Sequence, residues 1–177
     1  IGEIIKAPIG LQSVEGKGAN FSIIVERATP RVAPIASPVA SKANNFSGVT
    51  VLCVDDDHGV LNGMVELLTA WQCKVIACNT RAQAIETFNK DSDIIDIVLA
   101  DYQLSPTDNG LEVIATLREN YPHYLPAILL TAATEDGIED KADEADVGFM
   151  RKVVKPASLR AMMSAMLAKK LSSNYGN

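Results

Sequence analysis

The sequence contains no apolar run near the roughly 18 residues that a membrane-spanning helix needs, so we expect no membrane contact from this chain. It lacks a signal peptide, and it begins with Ile1 rather than Met, which favours a piece of a longer protein. Three cysteines are present, without metal-ligand spacing and inside apolar stretches: Cys53, Cys73 and Cys78. They predict reduced core thiols and a cytoplasmic location, whether or not the parent protein is anchored through other segments.

An excess of basic residues is also missing, since 16 Lys and Arg stand against 22 Asp and Glu. The net charge of −6 equals that of residues 135–146, where seven acidic residues accompany Lys141 alone. Without a basic face to release counterions from phosphates, we expect no nucleic-acid partner. The acidic stretch contains Gly137 and few apolar positions, which predicts a short or mobile helix. Its charge is typical of a solvated surface, with a docking face as the alternative.

Two segments of different composition precede the main domain. Residues 1–28 alternate around a Gly16-Lys17-Gly18 turn, which predicts a β-hairpin with residues 21–25 as the return strand. Residues 29–48 carry three prolines at a spacing of four amid Ala and Ser, which predicts a semi-rigid linker. The main domain is predicted over residues 49–171, with a tail at 172–177.

From residue 49 onward, short apolar runs alternate with helical patterns, as in βαβ units. The predicted strands are residues 49–54, 74–77, 94–100, 127–131 and 147–150. Right-handed crossovers between them give an α/β fold, a doubly wound parallel five-stranded sheet of the (βα)5 type in the flavodoxin-like order. The apolar stripe of the last helix, from Leu159 to Leu167, is interpreted as facing the core rather than a cofactor.

Polar residues follow several of these strands, at the sheet edge where ligands bind in open α/β folds. Asp101 follows the nearly continuous apolar run 94–100, although a lone Asp at a strand end is also an ordinary turn residue. Asp55, Asp56 and Asp57 follow the first strand, Thr131 ends the fourth, and Lys152 and Lys155 follow the fifth. Two carboxylates about 4 Å apart repel by roughly 4 kcal/mol at an effective dielectric constant of about 20. This set therefore predicts a Mg²⁺-dependent phosphoryl-transfer site.

The motifs VLCVDDD, IVLADYQL, NGLEVIATLR and AILLTA follow in order, and as a set they resemble the response-regulator receiver domain over residues 49–171. The resemblance implies that Asp101 accepts a phosphoryl group from a phosphohistidine. It also implies that Mg²⁺ is held by Asp56, Asp101 and the backbone carbonyl of Gln103, with Asp55 acting through water. Thr131 and a lysine would bind the phosphoryl oxygens.

Two lysines compete for that last role. Lys152 stands seven residues before Leu159, as the family's lysine does, whereas Lys155 stands only four before it. We therefore predict Lys152, and Val153 then occupies the position of the family's proline. The family's Lys-Pro bond is usually cis, but a cis bond before a non-proline residue costs roughly 3 kcal/mol, so the sequence leaves open whether the Lys152-Val153 bond is cis or trans. The same alignment places Phe149 at the family's switch aromatic together with Thr131, with an ordinary core Phe as the alternative.

The stretch LQSVEGKGANFSIIV resembles the closing hairpin of the ATP-binding domain of histidine kinases. A kinase remnant at residues 1–28, a linker and a receiver in this order are typical of the C-terminal end of a hybrid sensor histidine kinase. The resemblance implies no ATP site and no phosphorylatable His in this chain, so it would catalyse only its own phosphorylation and dephosphorylation. The expected partners are a phosphohistidine domain of a histidine kinase and a histidine phosphotransfer protein.

A second hypothesis is a receiver-like docking module that regulates its kinase with little phosphotransfer. Val153 and the loop SPTDN, one residue longer than the common pattern before Gly110, are the features that favour it. A flavin- or nucleotide-binding protein of the same fold is disfavoured, because no Gly-rich phosphate loop follows the first strand.

Overall fold

The computed structural model describes residues 9–14, 18–23, 46–119, 121–133 and 136–174. The chain divides into two compact units, Ile1–Ser41 and Lys42–Asn177. In the first unit, β1 (Ile9–Val14) pairs antiparallel with β2 (Gly18–Ile23). The return strand of this hairpin thus begins at Gly18, earlier than predicted, and the predicted end at Val25 lies outside the described residues.

The second unit alternates strands and helices along the chain. Its elements are β3 (Thr50–Val54), α1 (His58–Ala70), β4 (Lys74–Cys78), α2 (Arg81–Asp91), β5 (Ile97–Asp101), α3 (Gly110–Glu119), β6 (Ala127–Thr131), α4 (Ile138–Glu144), β7 (Gly148–Arg151) and α5 (Pro156–Asn174). The five strands are parallel and lie in the order β4-β3-β5-β6-β7. The predicted fold and flavodoxin-like strand order are therefore confirmed.

The three central strands, β3, β5 and β6, are buried at every position because helices cover both faces of the sheet. Alternate residues enter two hydrophobic clusters. Leu52 and Val54 join one with Phe88 of α2, and Val51 and Cys53 join the other with residues of α1 and α5. The three cysteines are free thiols and buried, and no described helix is long and apolar enough to cross a membrane.

One strand is shorter than its apolar run predicted. β5 begins at Ile97, because Ser92–Ile94 form a 3₁₀ turn that leaves Ile94 56% exposed. Asp96 lies between this turn and β5, and its carboxylate accepts a hydrogen bond from the main-chain N–H of Thr50 at 3.0 Å. The apolar run 94–100 therefore predicted the existence of β5 correctly but not the residue at which it begins.

The acidic stretch forms α4, a helix of only seven residues. Ile138 and Ala142 are its two buried positions, and its acidic side chains lie in solvent. The prediction of a short helix is confirmed, because two apolar positions suffice to hold two turns against the sheet.

Gly63 lies in the interior of α1 and is exposed, and a Cβ atom there would meet nothing within 4 Å. Alanine favours a helix interior over glycine by about 1 kcal/mol. We expect Gly63→Ala to raise the free energy of unfolding by about 0.5–1 kcal/mol, measured by urea denaturation. Gly59→Ala is the matched control, since its Cβ would lie 3.1 Å from the Asp57 carboxylate and the gain should be smaller. A destabilised Gly63→Ala would contradict this account.

Candidate functional site

Three carboxylates meet at the carboxyl ends of β3 and β5. Val54 and Ala100 are paired in the parallel ladder, so Asp55 and Asp101 come next on neighbouring strands. Asp55 is 5% exposed and Asp101 is 8% exposed, whereas Asp56 points toward solvent. An oxygen from each of Asp55, Asp56 and Asp101 lies within 4.8 Å of the other two.

Lys152 supplies the positive charge at this edge. It follows β7, and its main-chain N–H donates to the carbonyl of Thr131 at 2.7 Å. Its ammonium lies 2.8 Å from Asp55 Oδ2 and 3.1 Å from Asp101 Oδ2. Lys155, the competing lysine, is exposed, and its carbonyl accepts from the Leu159 N–H where α5 begins. Lys152 is therefore the lysine that contacts the buried acids.

The peptide bond between Lys152 and Val153 is cis. The sequence left the choice between cis and trans open at this bond, because the general preference of non-proline residues for trans opposes the family's usual cis bond.

Burial raises the pKa of Asp101 above its ordinary value. The hydrogen bond and charge of Lys152 lower this pKa, the Asp55 carboxylate raises it further, and the main-chain N–H of Gln103 lowers it by donating to Asp101. For Lys152, burial alone would lower the pKa, but the contacts with Asp55 and Asp101 together raise it above its usual value. The ammonium is thus held in its charged form beside the two acids.

The third consecutive aspartate, Asp57, has a different function. Its Oδ1 atom accepts from the main-chain N–H groups of Gly59 at 2.7 Å and Val60 at 3.1 Å, so it is the N-cap of α1. These hydrogen bonds, that from Val60 first, lower the pKa of Asp57. Its own N–H donates to Asp55 Oδ1 at 3.0 Å. An Asp directly before a helical pattern could have predicted this cap.

Thr131 ends β6 and is 1% exposed. Its Oγ1 atom accepts from the Ala133 N–H at 2.9 Å, and a hydroxyl that accepts one hydrogen bond can still donate its own hydrogen. Phe149 lies on β7, half-buried against the core, with the Arg151 guanidinium 5.7 Å from the centre of its ring. Arg151 also donates to the carbonyl of Ala133 at 3.2 Å. Phe149 therefore packs against the core from a partly exposed position, beside the segment that follows Thr131.

Gly110 was missed as a site residue by the sequence analysis. It opens α3, and its N–H donates to the carbonyl of Tyr102 at 2.9 Å. A Cβ atom at this position would lie 2.2 Å from the carbonyl oxygen of Asp101. The start of α3 thus packs directly on the backbone of Asp101, and a side chain has no room there.

The donor atoms at this edge fit a magnesium ion. Mg²⁺ prefers oxygen ligands and is commonly held by one or two carboxylates, with water completing its shell. Asp56 and Asp101 offer such oxygens within 4.8 Å of each other, and Asp56 is exposed enough to leave an entry path.

The raised pKa of Asp101 has a consequence for stability. The folded protein binds a proton at Asp101 more readily than the unfolded chain, so stability from this group is fully present below its ordinary pKa. It is lost as the pH rises through the raised value. Without Mg²⁺, we expect Asp101→Asn to exceed the parent in free energy of unfolding at pH 7 but not at pH 3, measured by urea denaturation. An equal difference at both pH values would contradict the prediction.

Residues 51–167 match the family described as the response regulator receiver domain. The sensor kinase CckA of Brucella abortus (strain 2308) is 28% identical over 162 residues, which cover 87% of this chain and 17% of that protein. The putative two-component response regulator ARR21 of Arabidopsis thaliana is 29% identical over 122 residues, covering 69% of this chain and 19% of that protein. The chain spans less than a fifth of the length of these two relatives.

The solved structure of a response regulator receiver domain protein from Clostridium thermocellum superposes with a TM-score of 0.60 at 22% identity. The superposition covers 69% of this chain and 96% of that one, and it shows a shared fold. The family match itself takes in about two thirds of the sequence, including Asp55, Asp56, Asp101 and Lys152. The chain therefore belongs to the response regulator receiver domain family, which serves two-component signalling.

Proposed function

We propose that this chain is the phosphoacceptor of a two-component phosphorelay and that Asp101 takes the phosphoryl group. One observation carries the proposal: the Lys152 ammonium lies within 3.1 Å of Asp101 and 2.8 Å of Asp55 at a sheet edge where both acids are buried. Such an arrangement presents a nucleophilic oxygen beside a fixed cation. Positioning and charge neutralisation are what phosphoryl transfer requires of a protein.

In the proposed reaction, a carboxylate oxygen of Asp101 forms a bond to phosphorus while the bond from phosphorus to the donor imidazole nitrogen breaks. The imidazole keeps the electron pair. Lys152 and the hydroxyl of Thr131 donate hydrogen bonds to the phosphoryl oxygens. When bound by Asp56, Asp101 and the carbonyl of Gln103, with Asp55 acting through water, Mg²⁺ supplies the positive charge that offsets the acids and the phosphoryl group. Phe149 and Thr131 would report the change to neighbouring surfaces.

We also propose the protein context of this domain. Receiver domains of two-component systems interact with histidine kinases or phosphotransfer domains. The similarity to the sensor kinase CckA spans 162 residues, whereas the receiver match is confined to residues 51–167, so that similarity extends beyond the receiver. This supports residues 1–28 as a kinase remnant, 29–48 as a linker, 49–171 as the receiver of a hybrid kinase and 172–177 as a tail. The phosphoryl group would pass to a histidine phosphotransfer partner.

Intact mass spectrometry after incubation with Mg²⁺ and acetyl phosphate tests the proposal. The parent should gain one phosphoryl group, Asp101→Ala should gain none, and Asp91→Ala, which removes an exposed acid at the end of α2, should behave as the parent. An unmodified parent, after a repeat with a phosphohistidine protein, would reject phosphotransfer. The docking module would then be the better account, with Val153, 93% exposed beside Lys152, as an apolar contact point.

A further inference from the structure

One side chain of α2 reaches across to the loop that follows Asp101. The Arg81 guanidinium lies 3.4 Å from Asp108 Oδ1 and 3.6 Å from Glu112 Oε2. It also donates to the hydroxyl of Thr116 at 3.4 Å. Arg81 is the first residue of α2, whereas its three partners belong to α3 and to the loop before it. Arg81 therefore links the start of α2, which follows β4, to α3 and the loop before it, which follow β5.

The loop that Arg81 contacts, residues 104–109, is closed by its own hydrogen bonds. The carbonyl of Asp108 accepts from the N–H groups of Leu104 and Ser105, at 3.2 and 3.3 Å. The Ser105 hydroxyl oxygen accepts from the N–H groups of Thr107 and Asp108 and donates to the Asp108 carboxylate at 3.0 Å. Leu104 is 4% exposed and ties the loop to the core. Because these hydrogen bonds connect Asp108 to Leu104 and Ser105, a shift of Asp108 would also displace the start of the loop.

One end of the loop leads directly to the buried acid. Asn109, next to Asp108, forms an antiparallel bridge with Gln103. Gln103 stands two residues after Asp101, and the N–H of Gly110, next to Asn109, donates to the carbonyl of the intervening Tyr102 at 2.9 Å. Arg81 thus contacts Asp108, and the neighbouring Asn109 and Gly110 are bonded to the two residues that directly follow Asp101.

We propose that Arg81 is a positioning residue, which fixes the loop through Asp108 so that the bridge to Asn109 holds the main chain of Gln103 in place beside the metal site. The proposal rests on the proposed function only for its effect on phosphorylation. Its effects on Mg²⁺ binding and on loop exchange do not depend on phosphotransfer.

A purely structural role for Arg81 makes a different prediction. Arg81 and Asp108 side chains are about one third exposed, 35% and 34%, and ion pairs of this kind add little to stability. Contacts that orient metal ligands from outside, by contrast, change metal affinity markedly when removed. If Arg81 positions the metal ligands, replacing it should weaken Mg²⁺ binding and leave the free energy of unfolding almost unchanged.

The test compares Arg81→Met, Asp108→Asn and the double variant with Lys90→Met. The control removes the exposed ion pair of Lys90 with Glu86, which lies within the same helix and does not join it to the loop at residues 104–109. Calorimetric Mg²⁺ titration, hydrogen-deuterium exchange of residues 103–110 and thermal unfolding are measured on the whole chain. The rate of phosphorylation by acetyl phosphate is followed at several Mg²⁺ concentrations.

We expect Arg81→Met to weaken Mg²⁺ binding about fivefold, below the full effect of a direct ligand partner, and to speed exchange in the loop. Asp108→Asn should act in the same direction, and the double variant should add little, since both break one contact. At saturating Mg²⁺ the phosphorylation rate should return to that of the parent, and Tm should change by less than about 3 °C. Lys90→Met should match the parent throughout.

The proposal is overturned if Arg81→Met and Lys90→Met show the same Mg²⁺ affinity and the same loop exchange. It is equally overturned if Arg81→Met loses stability in proportion to its loss of Mg²⁺ affinity, because Arg81 would then act only by stabilising the fold. A parent that takes no phosphoryl group would reject the proposed function alone, because Mg²⁺ affinity and exchange would still decide the role of Arg81.

Discussion

Lys152→Met is expected to lower the free energy of unfolding by about 2–3 kcal/mol at pH 7 without Mg²⁺. The variant keeps the aliphatic stem of the side chain but removes the cation from Asp55 and Asp101, whose side chains are 7% and 10% exposed. Breaking a buried ion pair from one side costs about 3–5 kcal/mol, because an uncompensated charge stays in the interior. The Lys152 side chain is itself 18% exposed, so water screens part of the loss.

Urea denaturation measures this effect, and two further variants identify its cause. Lys155→Met removes the exposed lysine three residues away and should leave stability within about 0.5 kcal/mol of the parent. Adding Asp101→Asn to Lys152→Met should recover a large part of the loss, since one of the two uncompensated carboxylates is gone. If the double variant were no more stable than Lys152→Met, lost packing rather than charge would explain the destabilisation.

The sheet and the position of its acids could be predicted from the sequence because they depend on local patterns. Continuous apolar runs marked β3, β5 and β6, and the alternation with helical stripes determined a parallel order. In a parallel sheet all strands end at one edge, so Asp55 and Asp101 had to be neighbours. The spacing to Leu159 selected Lys152, and Lys152 is the lysine that contacts both acids.

Features that depend on contacts between distant segments could not be predicted in the same way. Lys152 and Asp55 are 97 residues apart, and the contact between their side chains exists only in the folded chain. Arg81 reads in sequence as an ordinary surface residue at a helix start, since nothing local indicates its partners in α3. The start of β5 was missed for a local reason, because the apolar run extends back into a 3₁₀ turn whose last residue, Ile94, is exposed.

The glycine that opens α3 illustrates how closely the site is packed. Gly110 does not have a positive φ, so backbone conformation alone would admit any residue. What excludes a side chain is space, since a Cβ atom would lie 2.2 Å from the Asp101 carbonyl oxygen and 3.0 Å from Leu129 Cδ1. The first neighbour is backbone of β5 and cannot rotate away, so either the start of α3 or Asp101 itself must shift.

We therefore expect Gly110→Ala to lower the free energy of unfolding by about 3 kcal/mol, at the upper end of the cost of overpacking a core. Gly63→Ala, the same chemical change in the interior of α1, should be stabilising, which separates a close approach from helix propensity. Because the displaced segment carries the hydrogen bond from Gly110 to Tyr102, next to Asp101, Mg²⁺ binding measured by calorimetry should weaken as well. A Gly110→Ala variant with the stability and Mg²⁺ affinity of the parent would show that α3 can move away from Asp101 at no cost.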